Sequence, residues 1–250
     1  AGAVEVWEKE LGSEITAVAT DEMGGRIYVA TEDGIVRCYD TEGNQIGDII
    51  RHEMTDVTNL LLSRDGKQLA IQHYEPGITS SVYLIDAETR DVWLSLSDRK
   101  YQFGVAAKPD GGVWYILAHE STDTTKDYLA VVTPERGDWF LIPDLLPETF
   151  QISGDGTWAV GAEGAAPTKA DLFSLSELPP LSELPPLSEL PPLSELPPLS
   201  ELPPLSELPP YPDGWTVYQQ IDYSTSNIEG IYQQDLVIHR TTGTAYNETA

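Results

Sequence analysis

Cysteine is almost absent from this chain. Cys38 is the only one among 250 residues, which excludes an intramolecular disulfide, a paired-thiol zinc site and a haem-attachment motif. Basic residues are scarce as well: 14 Lys and Arg face 41 Asp and Glu, for a net charge of −27. Such a chain repels nucleic-acid phosphates and anionic lipid surfaces, and no local basic cluster offsets the repulsion, so nucleic acid is excluded as the expected partner. No apolar run approaches the roughly 20 residues of a membrane helix, and no charged-then-apolar leader is present, so membrane insertion is not expected. A Gly-x-Ser-x-Gly elbow and a phosphate-cradling glycine loop are also missing.

What the chain does have is enough length and apolar content, 40%, for a sizeable core, together with internal repetition. A turn signal recurs at Asp21-Glu22-Met23-Gly24, Asp65-Gly66, Asp110-Gly111 and Asp155-Gly156, and the steps between the aspartates are 44, 45 and 45 residues. Asp-Gly tolerates the positive φ of a tight hairpin. Short β-rich runs flank each turn: Ile15–Ala19 and Ile27–Ala30, Leu60–Ser63 and Leu69–Ile71, Gly104–Ala107 and Val113–Ile116, Phe150–Ser153 and Trp158–Val160. A third run, Val36–Asp40, Val82–Asp86 and Leu129–Thr133, keeps the period, and a fourth carries Trp93 or Trp139, 46 residues apart. Four short antiparallel strands per unit of about forty-five residues predict an all-β chain, a β-propeller of four-stranded blades.

On these residues the chain resembles the prokaryotic quinoprotein-like and WD-repeat-like β-propellers. Trp7-Glu8-Lys9-Glu10-Leu11-Gly12 is similar to the outer strand that precedes a blade in that group, and Ser63-Arg64-Asp65-Gly66-Lys67 to its inner turn. The resemblance spans about residues 4 to 175 and implies the fold, since propellers of this kind serve many unrelated functions.

Residues 175–210 are six identical copies of Leu-Ser-Glu-Leu-Pro-Pro. Proline pairs exclude helix and central strand, and leucine at every third position suits polyproline II, a rod on the order of 110 Å long when fully extended. Two readings remain open: a disordered or semi-rigid spacer, or a leucine-edged rod that docks on its own propeller or on a second copy. The insertion falls between the third and fourth strands of the fourth blade, so residues 1–174 hold blades, 175–210 the insertion and 211–250 the closing strands. Gly214–Tyr218 then reads as the delayed fourth strand, with Trp215 in the place of Trp93 and Trp139. Joining the last strands to Val4–Trp7 would close about five blades, while a larger propeller with blades missing is the rival arrangement.

The ends of the second strands gather His73, Glu75, His119, Glu120 and Glu163 on one face, with the two histidines 46 residues apart. Imidazole with carboxylates suits a divalent transition metal, so a divalent cation is the alternative to the leading reading, solvated loop residues with no cofactor. Asp40-Thr41-Glu42-Gly43-Asn44 has alternating acids but reads as a turn. The small residues Ala1-Gly2-Ala3 and the acceptor tripeptide Asn247-Glu248-Thr249 suggest an extracellular or cell-envelope setting. Foremost among the functional readings is a non-catalytic binding or scaffold propeller for protein or glycan. Behind it stand an assembly subunit that self-associates through 175–210, and a metal-dependent hydrolase or lactonase.

Overall fold

In the computed structural model the described residues are 7–21, 25–47, 50–51, 57–75, 79–108, 112–120, 122, 126–153, 156–162, 169–176, 178–202, 217–222, 236–239 and 244–247. They form a β-propeller of four-stranded antiparallel blades, each with its strands in chain order. Blade 1 contains β1 (Ile15–Thr20), β2 (Ile27–Thr31), β3 (Ile35–Tyr39) and β4 (Ile50–Arg51). Blade 2 contains β5 (Val57–Leu62), β6 (Gln68–Glu75), β7 (Thr79–Asp86) and β8 (Val92–Asp98). Blade 3 contains β9 (Gln102–Ala107), β10 (Trp114–His119), β11 (Lys126–Val132) and β12 (Gly137–Pro143). Blade 4 contains β13 (Gln151–Ile152), β14 (Trp158–Ala162), β15 (Lys169–Ser174) and β16 (Val217–Asp222), and β17 (Leu236–His239) pairs with β18 (Thr244–Asn247) as a separate hairpin.

The inner turns show why the Asp-Gly signal recurs. In blade 2, Gly66 sits at φ 69° and its N–H donates to Ser63 O at 2.8 Å, while the Asp65 carboxylate accepts from Ser63 Oγ at 2.7 Å and Lys67 N at 3.1 Å. Blade 4 repeats the device with Gly156 at φ 70° and a 2.8 Å bond to Ser153 O. Only glycine takes this left-handed backbone without strain. Asp40 accepts hydrogen bonds from Glu42 N at 2.9 Å and Asn44 N at 2.8 Å, which organise the 40–44 segment as a turn between strands.

Consecutive blades pack through their first strands, β1 on β5, β5 on β9 and β9 on β13. Every residue of β10 and β11 is buried, because blade 3 has a neighbour on each face. One face, with Trp114, Ile116, Tyr128, Ala130 and Trp139, joins a core shared with blade 2, and the other, with Leu117, Leu129, Val131 and Phe140, joins a core shared with blade 4. Polar groups pin the junction of blades 2 and 3: the Trp114 indole N–H donates to Gln68 Oε1, and Phe103 N–H donates to Ser80 Oγ at 3.1 Å.

The repeat segment leaves the fourth blade after β15 and returns as β16, which pairs with β15. Its backbone is not polyproline II throughout. Leu181–Glu183, Leu187–Glu189, Leu193–Glu195 and Leu199–Glu201 each form a 3-10 turn, closed by the following leucine N–H onto the first leucine O at 3.1 to 3.2 Å. The prolines that precede them keep φ between −53° and −64°. A polyproline II stretch makes no internal hydrogen bonds, so the amides of Leu-Ser-Glu gain by folding into turns, whereas proline has no amide to satisfy.

These turns put leucine inward. Leu175 and Leu184 join the core between blades 3 and 4, and Leu193 and Leu199 join the core between blades 2 and 3. Between them the segment crosses the β11–β12 turn, where Leu187 N–H donates to Glu135 O at 2.8 Å and Gly137 N–H to Pro185 O at 3.1 Å. The repeat therefore straddles the outer end of blade 3. Gly137 makes the crossing feasible, because a Cβ there would lie 2.8 Å from Val132 Cγ1 and 3.1 Å from Leu187 Cδ1. Val4 to Val6 and Trp215, expected in closing strands, lie outside the described residues.

Candidate functional site

Three features of blade 3 and its neighbours bear on function. The first is an open cavity of about 670 Å³ lined chiefly by the first strands of consecutive blades. Thr58, Asn59, Gln72, Gln102, Glu148 and Gln151 contribute amide, hydroxyl and carboxylate groups to its wall, with the half-buried Leu61, Leu62 and Ile152 supplying apolar surface. Gln102 Nε2 donates to Glu148 Oε1 at 2.6 Å, which ties the mouth of β9 to the segment before β13.

The second is a buried ion cluster. Period-two alternation carries the apolar face of each outer strand of blade 3 into a polar residue: Tyr115-Leu117-His119 on β10, Asp127-Leu129-Val131 on β11, and Phe140-Ile142 on β12 followed by Asp144. His119, Asp127 and Asp144 are 7%, 0% and 3% exposed, so three ionisable groups meet out of reach of bulk water. His119 Nδ1 lies 3.2 Å from both carboxylate oxygens of Asp127 and 3.2 Å from Asp144 Oδ1. Two facing carboxylates place the proton on Nδ1. Asp127 Oδ2 also accepts from Leu145 N–H at 2.8 Å, whereas among the described residues neither oxygen of Asp144 accepts a well-aligned hydrogen bond.

Burial by itself would lower the His119 pKa, but the hydrogen bonds to Asp127 and Asp144 outweigh it and hold it up at about 10. Burial pushes Asp127 up to about 6, against the opposing attraction of His119. At neutral pH the imidazolium is therefore kept charged and fastens the ends of three strands together. The same three ligand atoms lie within 4.8 Å of one another, a spacing that fits a divalent cation with one imidazole and two carboxylates in place of the proton.

Sequence reasoning placed His119 in a polar cluster but with other partners. His73 is 2% exposed within β6, opposite Val57 and Ser81, and neither it nor Glu75 belongs to the His119 cluster. Glu120 turns the other way, to Lys100 Nζ at 2.8 Å and Thr122 Oγ1 at 2.6 Å. Glu163 lies outside the described residues. Asp127 and Asp144 were missed, although Asp127, on the apolar face of a strand, was a signal available in the sequence.

The third feature is the outer groove of blade 3 that holds the repeat. Tyr101, Tyr128 and Trp139 pack edge to face along it, with ring centroids 6.4 and 6.3 Å apart in succession. Trp139 Nε1–H donates to Pro191 O at 3.0 Å and Tyr128 O–H donates to Pro197 O at 2.7 Å. Lys126 Nζ donates to Leu202 O at 3.3 Å, and the Arg136 guanidinium donates to Leu184 O.

No protein-family model and no curated protein matches this chain. Solved structures do resemble it. The Cps50 (Swd1) β-propeller domain of Myceliophteria thermophila is 16% identical, with a TM-score of 0.52 over 69% of this chain and 55% of that one. Hydrazine synthase of Kuenenia stuttgartiensis is 14% identical, with a TM-score of 0.50 over 64% of this chain and 52% of that one. Both likenesses show the β-propeller fold, and the chain spans about half the length of each.

Proposed function

We propose that this chain is a non-catalytic scaffold propeller that binds an extended segment of another protein in the cavity between its first strands. The observation that carries this reading is the wall of that cavity, where donors and acceptors from Thr58, Asn59, Gln102 and Gln151 stand on rigid strands beside apolar surface. Such a wall matches a peptide backbone, which offers one donor and one acceptor per residue. The likeness to a WD-type propeller domain agrees with a protein partner. A glycan is the second ligand class for the same polar wall, and an extracellular or cell-envelope setting accords with the acidic surface. Among the described residues the leucine edge of the repeat is turned onto the chain's own blades, which lessens the drive for self-association through it.

Peptide display against the intact chain tests the proposal, with an Asn59→Arg/Gln151→Arg variant as control. Both side chains are exposed on the cavity wall, so the variant keeps its stability within about 0.5 kcal/mol. Selected peptides are expected to lose at least about tenfold in affinity on the variant, a loss of about 1.4 kcal/mol. Peptides that bind both proteins equally would remove the cavity reading.

A second reading, a metal-dependent hydrolase, rests on His119, Asp127 and Asp144, whose ligand atoms lie within 4.8 Å of one another. It requires zinc or manganese to raise the melting temperature of the intact chain and not of His119→Gln, by mass action on the folded state. Equal melting temperatures with and without metal would eliminate it.

A further inference from the structure

We infer that the outer groove of blade 3 is a recognition site for proline-rich segments of the form Leu-x-x-Leu-Pro-Pro, filled in this chain by its own repeat and open to such a segment of a partner protein. Three successive first-proline carbonyls, Pro185, Pro191 and Pro197, accept hydrogen bonds from Gly137 N, Trp139 Nε1 and Tyr128 Oη. Those donors are regularly placed along the blade. Gly137 pairs with Val132, Trp139 with Ala130, and Tyr128 with Leu141, so each hexad of the ligand advances two ladder positions of the β11–β12 pair. One repeat therefore matches one period of the strand surface.

The groove also distinguishes positions within the hexad. From 181 to 202 every leucine is buried or half-buried, whereas every serine and glutamate is exposed. What is read is the leucine spacing and the carbonyl of the first proline, while the Ser-Glu positions are free. Aromatic rings with hydrogen-bond donors aimed at the carbonyls of a proline-rich chain are a general means of binding such segments, whose prolines already fix φ and so lose less entropy on docking.

Because the copies are identical, a shift of the repeat by six residues presents the same groups to the same donors. Each hexad is held by its own carbonyl bond, so the hexad bonded to Tyr128 can leave while those bonded to Gly137 and Trp139 stay, which gives a partner segment a point of entry. The tether keeps its own repeat at high effective concentration, so the partner must compete with it.

The test uses the full chain in two forms, wild type and Leu187→Ser/Leu193→Ser/Leu199→Ser, whose own repeat is weakened as a ligand. The probes are fluorescent peptides of four Leu-Ser-Glu-Leu-Pro-Pro units, four Leu-Gln-Gln-Leu-Pro-Pro units and four Leu-Ser-Glu-Leu-Ala-Ala units. The triple variant is expected to bind both proline peptides and to lose the alanine peptide. Wild type should bind at least about tenfold more weakly than the variant, because of the tether. Adding Tyr128→Phe, which removes one donor, should weaken binding about three- to tenfold.

Failure of a natively folded triple variant to bind the proline peptides, or equal binding of the alanine peptide, overturns the inference. If the triple variant does not fold, a photo-crosslinking proline peptide on wild type decides: labelling of residues 126–139 supports the site, and labelling elsewhere or none overturns it. A wild-type dimer that disappears in the variant assigns the groove to a second copy and overturns the partner claim. None of these outcomes touches the inner cavity, so the proposed function is tested separately.

Discussion

Replacing His119 with alanine should cost about 3–5 kcal/mol of stability, because it leaves Asp127 and Asp144 buried side by side with no positive charge between them. Urea unfolding of the two proteins measures the loss. The pH dependence gives a second and more particular signature. His119 has its pKa raised from 6.5 to about 10 in the folded chain. Its contribution is therefore complete below pH 6.5, shrinks between pH 6.5 and about 10, and is gone above that. Asp127, raised from 3.8 to about 6, also binds its proton more tightly in the folded state, so its contribution falls as pH rises across that lower window. In chelated buffer, wild-type stability should decline from pH 7 to 10 and the His119→Ala curve should lack that decline. Parallel curves would show that the imidazolium is not what fastens the three strand ends.

Leu199→Ala should cost about 2–5 kcal/mol, whereas the same substitution at Leu181 should cost about 1 kcal/mol. The two leucines occupy identical positions in identical hexads, yet Leu199 is 0% exposed inside the core between blades 2 and 3, and Leu181 is a half-buried residue at the margin of the other core. Sequence alone assigns them equal weight. A passive spacer would give no measurable loss at either position, so the difference between the two variants reports docking and not leucine content.

The blades were legible because the information that makes them is local. Asp65-Gly66 needs only its own backbone to turn, and Leu69-Ala70-Ile71 and Val82–Asp86 are short apolar runs of strand length bounded by turns. Trp93 and Trp139 marked the fourth strands for the same reason. The ion cluster was half legible. His119 stood out as a residue type, but its partners depend on the register that sets β10, β11 and β12 side by side, and Asp144 behind Pro143 reads as an ordinary loop residue.

The conformation of the repeat was only partly legible, for a physical reason. Leucine at every third position is equally consistent with polyproline II and with 3-10 turns, since both have about three residues per turn. Only the unpaired amides of Leu-Ser-Glu separate the two. Docking was one of two readings left open, and the residues that decide it, Gly137, Trp139 and Tyr128, lie far away in sequence.

Amide hydrogen exchange on the intact chain tests most directly whether the repeat is an integral part of this propeller. Segment 181–202 should be protected relative to a free peptide of the same hexads, most of all at Leu187, whose N–H is bonded to Glu135 O at 2.8 Å. Exchange of that segment at the rate of the free peptide would contradict the docked repeat, and with it the groove on blade 3.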